Sequence, residues 1–123
     1  MTTQNKYFES FADQLQAVEI LSQPFKSFSL IDIGSIKNLA EKLKPLLQEK
    51  EMRPLVWFYS DSICFSVRQQ EDTLCIVYFN KENKTEVVLY DKSLFHVIEI
   101  KEYHTENDRV KILKTIKEHL NNY

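Results

Sequence analysis

Between residues 55 and 103 one apolar run follows another, broken only by short polar stretches, and few folds accept that pattern. The runs are residues 55–59, 63–67, 74–79, 87–90 and 94–100, each strand-length and rich in β-branched and aromatic side chains. The breaks at residues 60–62, 69–73, 80–85 and 91–93 are polar and turn-prone. Connections this short join only antiparallel neighbours, because a parallel crossover needs about a dozen residues or more. The pattern therefore predicts a five-stranded antiparallel meander.

The flanking segments read as helices. Residues 4–21 place Tyr7, Phe8, Phe11, Leu15, Val18 and Leu21 on one stripe, with Pro24 as the stop. Residues 25–33 read either as a sixth, edge strand, with Phe28 and Leu30 alternating with Ser27 and Ser29, or as a packed loop. Gly34 punctuates, and Ser35 or Asp32 suits the cap of a second helix carrying Ile36, Leu39, Ala40, Leu43, Leu46 and Leu47. Pro45 predicts a kink there, or a short new helix. After Tyr103, Thr105 and Asp108 form a box-like cap for a third helix with Val110, Leu113, Ile116 or Lys117, and Leu120 along its stripe. The fold class is α+β: a sheet of five antiparallel strands, or six, packed by two N-terminal helices and one C-terminal helix. The 123 residues make one domain, 1–123, long enough to bury a core without metal or disulfide.

A half-exposed strand alternates apolar with polar residues, and three of these do not. Residues 55–59, 74–79 and 87–90 are apolar or aromatic in both parities; only residues 63–68 look half-wet, with Cys64, Ser66 and Arg68 on the second face. Five strands span roughly 24 Å, a width that takes two or three helices per face to cover. Three helices, one interrupted by Pro45, leave a shortfall. Two outcomes follow: an apolar and aromatic area stays open on one face or edge, or residues 25–33 fold across it and the chain is a closed monomer. The candidate partner-binding residues are Trp57, Tyr59, Tyr78, Val88 and Tyr90.

Chemistry is poorly provided for. Gly34 is the single glycine, so no phosphate-cradling loop, dinucleotide fingerprint or nucleophile elbow can be built. A net charge of −2 without like-charge blocks gives no field to gather a polyanion, so no nucleic acid is expected. Cys64 and Cys75 sit mid-strand in positions that do not pair across a hairpin, so both read as buried free thiols. His96, His104 and His119 share no ligand spacing and read as structural, and Lys111, Lys114 and Lys117 read as a solvated helix face. The expectation is no catalytic residue, no metal ligand and no cofactor. Residues 1–6 lack the apolar core of a signal peptide and no run reaches membrane-spanning length, so no membrane is expected and the cytoplasm is the simplest location.

The functional expectation is a non-catalytic protein-binding module acting through an apolar sheet surface or edge, with self-association as a homodimer an accompanying expectation. In size and general outline, though through no motif, the chain resembles the immunity proteins that neutralise bacterial toxins, which implies a toxin or effector as partner. It also resembles the small dimeric chaperones of secreted effectors, although two helices precede the meander here. The alternative is a small-molecule-binding domain with a pocket between helices and sheet, lined by Trp57, Tyr59, Tyr78 and Tyr90.

Overall fold

The computed structural model describes residues 6–22, 30–59, 62–80, 82–92 and 96–123. Within them the order is α1 (Lys6–Ser22), α2 (Leu30–Glu49), β1 (Arg53–Tyr59), β2 (Ser62–Gln69), β3 (Asp72–Asn80), β4 (Lys84–Asp91), β5 (His96–His104) and α3 (Arg109–Leu120). The strands form one antiparallel sheet in the order β1-β2-β3-β4-β5, so each pairs with its neighbour in sequence. This is the α+β meander that the alternating runs and breaks predict. Left-handed backbone at Glu51, Gln70 and Asn83 makes the sharp changes of direction before β1 and in two hairpins, without glycine.

The register sorts the side chains into two faces. Val56 lies opposite Phe65, Phe65 opposite Val77, and Val77 opposite Val87, with Ile63, Val67, Cys75, Phe79 and Leu89 sharing their parity. These residues form one buried cluster with Phe11, Leu15 and Val18 of α1, Ile36, Leu39, Leu43 and Leu47 of α2, and Ile112, Ile116 and Leu120 of α3. All three helices therefore spend their apolar stripes on the same side of the sheet. The Phe11 and Phe65 rings meet edge to face at 5.8 Å, a favoured aromatic geometry. An irregularity between Val67 and Arg68 leaves Leu74 outside the pairing, and Leu74 and Cys75 both reach the core.

Helix α1 has a second task. It lies along β1, one edge of the sheet, and its Gln14 Oε1 accepts a hydrogen bond from the Val56 N–H at 3.0 Å. That amide points away from β2, so a side chain supplies what another strand would otherwise offer.

Several expectations are corrected. Residues 30–33 are helical rather than strand or packed loop, while residues 25–29 lie outside the described residues. Gly34 is inside α2, not at its boundary, and Pro45 does not divide the helix. Pro45 removes one donor close to the C-terminal end, where few bonds depend on it. Thr105 does not cap α3: its hydroxyl is fully buried, 2.8 Å from that of Thr85, where it pins the loop onto β4. Asp108 holds the N-cap position and its carboxylate turns back to accept from the His104 N–H at 2.8 Å. The α3 stripe is Ile112, Ile116, His119 and Leu120, and Val110 is 81% exposed. Leu21, placed on the α1 stripe, is also exposed.

Candidate functional site

On the second face of the sheet the register sets Trp57 beside Cys64, Cys64 beside Tyr78, Tyr78 beside Glu86 and Glu86 beside Glu102. The next row runs Leu55, Ser66, Ile76, Val88, Ile100. Tyr59 ends the face on β1, and Tyr90 follows Val88 by two positions on β4. None of these apolar residues belongs to the core cluster that holds the helical stripes, or packs against it. The five residues singled out by strand parity, Trp57, Tyr59, Tyr78, Val88 and Tyr90, thus fall on one face, away from the helices.

Their exposures differ. Tyr59 is 64% exposed, while Trp57, Tyr78 and Tyr90 are half-buried. Val88 is only 5% exposed and offers little surface of its own. Cys64 and Ser66 are buried too, which corrects the half-wet reading of β2: each is a small side chain between larger neighbours in register, Cys64 between Trp57 and Tyr78 and Ser66 between Leu55 and Ile76. The Tyr78 phenol has its pKa raised, first by burial and then by Tyr90, Cys64, Glu86 and Tyr59 around it. On β5, Ile98 is 51% and Ile100 59% open. Strand parity across the β4–β5 hairpin carries the signal for Ile100, which sits opposite Val88.

Glu86 and Glu102 add a charge to the grease. They face each other directly across two strands, both exposed, and no ion pair among the described residues involves either. Like charges directly opposite each other destabilise a sheet. A cation brought by another molecule would relieve them.

The groups that could do chemistry are otherwise engaged. Burial pushes the Cys75 thiol from 9.0 up to about 12, against a smaller lowering by its hydrogen bond to the Val67 backbone. It is a proton-holding core group, not a nucleophile at neutral pH. Neither Cys64 nor Cys75 is in a disulfide, and the two point to opposite faces. His119 is buried, with Nε2 3.0 Å from both the Leu74 and the Tyr90 carbonyl oxygens, so that nitrogen carries the proton and ties α3 to β3 and β4. Its ring meets Tyr123 edge to face. His104 Nδ1 accepts from the Asn107 N–H in the turn before α3. No group of three or more His, Cys, Asp or Glu side chains among the described residues could hold a metal ion. A cavity of about 20 Å³ lies where α2, α3 and β3 meet, lined by residues including Ser35, Asn38, Phe79, Thr105 and Arg109. That is room for one water, which the buried, unpartnered Ser35 hydroxyl could bond. Trp57, Tyr59, Tyr78 and Tyr90 do not line it. No helix among the described residues is long and apolar enough to cross a membrane.

Comparison with protein-family models, with curated proteins and with solved structures finds no match. The functional reading rests on the chain's own geometry.

Proposed function

We infer that this chain is a non-catalytic protein-binding module whose helix-free sheet face docks a partner protein. One observation carries the reading: apolar and aromatic side chains make up much of one sheet face, Tyr59 and Ile100 more than half exposed, while the stripes of the three described helices are committed to the other side. An apolar surface rimmed by charge is the usual form of a protein interface. The Glu86 and Glu102 pair defines the partner's chemistry, an apolar patch with a lysine or arginine placed to enter between two carboxylates. Among classes of small binder, inhibition of a toxin or effector by an immunity-type protein in the cytoplasm is the reading we carry forward.

The test uses a partner recovered from the source cells, identified, purified and titrated by calorimetry. Glu86→Lys relieves the repulsion on β4–β5, so folding stability holds or rises by about 0.2–1 kcal/mol, while affinity falls by about tenfold or more. Tyr59→Lys weakens binding likewise, and Val110→Lys, on the exposed side of α3, leaves it unchanged. A partner whose affinity responds to Val110 and ignores Glu86 and Tyr59 refutes the assignment of this face.

A further inference from the structure

The two edges of the sheet are treated unequally. Strand β1 carries Pro54 and is closed by α1 through Gln14, whereas β5, the other edge, is nine residues long with every one exposed except the half-buried Tyr103. Natural sheets guard such edges, and β5 has some of the usual guards: the charges Glu99, Lys101 and Glu102, and an irregularity where Ile98 falls between the Leu89 and Tyr90 pairings. The order of those charges, however, is self-complementary.

The direction of the backbone groups on β5 follows from one hydrogen bond. Thr105 donates its N–H to the Asn83 carbonyl at 2.8 Å, and the two residues continue the register that sets His104 opposite Lys84. In an antiparallel ladder, residues that exchange bonds alternate with residues whose N–H and C=O point the other way. Residues 99, 101 and 103 therefore turn their polar backbone toward β4, and Ile100, Glu102 and His104 turn theirs to the open edge.

We propose that two copies of this chain pair edge to edge through β5, antiparallel, about a two-fold axis at Ile100. There Ile100 exchanges both backbone bonds with Ile100 of the second copy. Glu99 meets Lys101 of the second copy at the intervening positions, where opposite Cα atoms are about 4.5 Å apart and side chains are closest. Glu99 and Lys101 already share a face within one chain at 3.5 Å, both about half exposed, so the pairing makes a ring of four alternating charges. The neighbouring registers fail on charge or geometry. An axis at Glu99, Lys101 or Glu102 sets that charge against itself, and one at Ile98 centres the pairing on the irregularity. On the helix-free face the same axis joins the row Leu55, Ser66, Ile76, Val88, Ile100 to its copy, Ile100 against Ile100. The inference stands on β5 alone and does not depend on whether the face docks another protein.

Sedimentation of the full chain across a concentration series tests it by charge swap. The wild type sediments as a dimer, Glu99→Lys and Lys101→Glu each weaken the dimer by about tenfold or more by opposing like charges twice, and the double variant carrying both restores it to within about threefold. Both substituted positions are solvent-exposed, and an unchanged circular-dichroism spectrum certifies the fold. Hydrogen exchange at the Ile100 amide slows as the dimer forms. A monomer at about 100 μM, a dimer indifferent to either single variant, or a double variant that fails to recover overturns the proposal. Tyr59→Lys distinguishes the two readings, since it leaves dimerisation intact while weakening docking on the face.

Discussion

Replacing Gln14 isolates the bond by which α1 closes the β1 edge. Gln14 is half-buried; its Oε1 accepts from the Val56 N–H at 3.0 Å and its Nε2 lies 3.2 Å from the Ser10 hydroxyl oxygen. Gln14→Met keeps the length and apolar stem of the side chain but removes the acceptor, leaving a partly buried N–H without a partner. An unsatisfied amide costs about 1–3 kcal/mol when fully buried, and water reaches this one in part, so about 1–2 kcal/mol is the expected loss. Gln14→Glu retains an acceptor of the same reach, and the Ser10 hydroxyl can donate to it, so its stability stays within about 0.5 kcal/mol of wild type. In urea denaturation with a slope of about 1.5 kcal/mol per molar, the methionine variant unfolds about 1 M earlier and the glutamate variant at nearly the wild-type midpoint. Native-state hydrogen exchange adds a local readout: the Val56 amide exchanges faster in Gln14→Met by more than the drop in global stability explains. Equal midpoints for the two variants, with unchanged exchange at Val56, would refute the claim that this bond holds helix to edge.

Three further outcomes follow from the same geometry. His119→Ala strips a buried donor from the Leu74 and Tyr90 carbonyls and removes the ring beside Tyr123, so calorimetry should record a loss of about 2–4 kcal/mol. Gly34→Ala should stabilise by about 0.5–1 kcal/mol in chemical denaturation, since Gly34 is in the interior of α2 and a Cβ there meets open space; a loss would show the backbone to be non-helical at that point. The Cys75 thiol, raised in the folded state from 9.0 to about 12, keeps its proton over a range where the unfolded chain releases one, so its contribution is intact below pH 9 and declines as pH climbs toward 12. Between pH 8 and 10.5 the wild type therefore loses about 2 kcal/mol more than Cys75→Ala does, and parallel pH profiles would contradict the assignment.

The meander was readable because each strand carries its own apolar run and each hairpin its own polar break, so local chemistry and global topology agree. The candidate face was readable for a related reason. Parity along a strand is fixed by the pleat, and apolar residues in both parities of β1, β3 and β4 place grease on a second face whatever the helices do. What stayed hidden depends on distance in sequence. Leu30, Ile31 and Ile33 have the β-branched or bulky character of a strand, yet residues 30–33 are helical and Ile33 joins the core, where tertiary burial outweighs local preference. In α3 two stripes compete, one starting from Val110 and one from Ile112, and only the approach of the helix to the sheet selects the second. Gln14 and His119 could not be singled out at all, since their partners are backbone atoms 42 and 29 to 45 residues away, and backbone leaves no mark on a sequence pattern.

The shut edge at β1 has a consequence for how large an assembly can grow. In the terms of polymer chemistry each subunit is monofunctional: it has one reactive end, β5, and a terminated one, β1, where Gln14 occupies the growing position. Strand addition therefore stops after a single step. A lesion that unseats α1 would make the subunit bifunctional, and the same self-complementary chemistry that closes a pair would then have a second end from which to propagate a fibre.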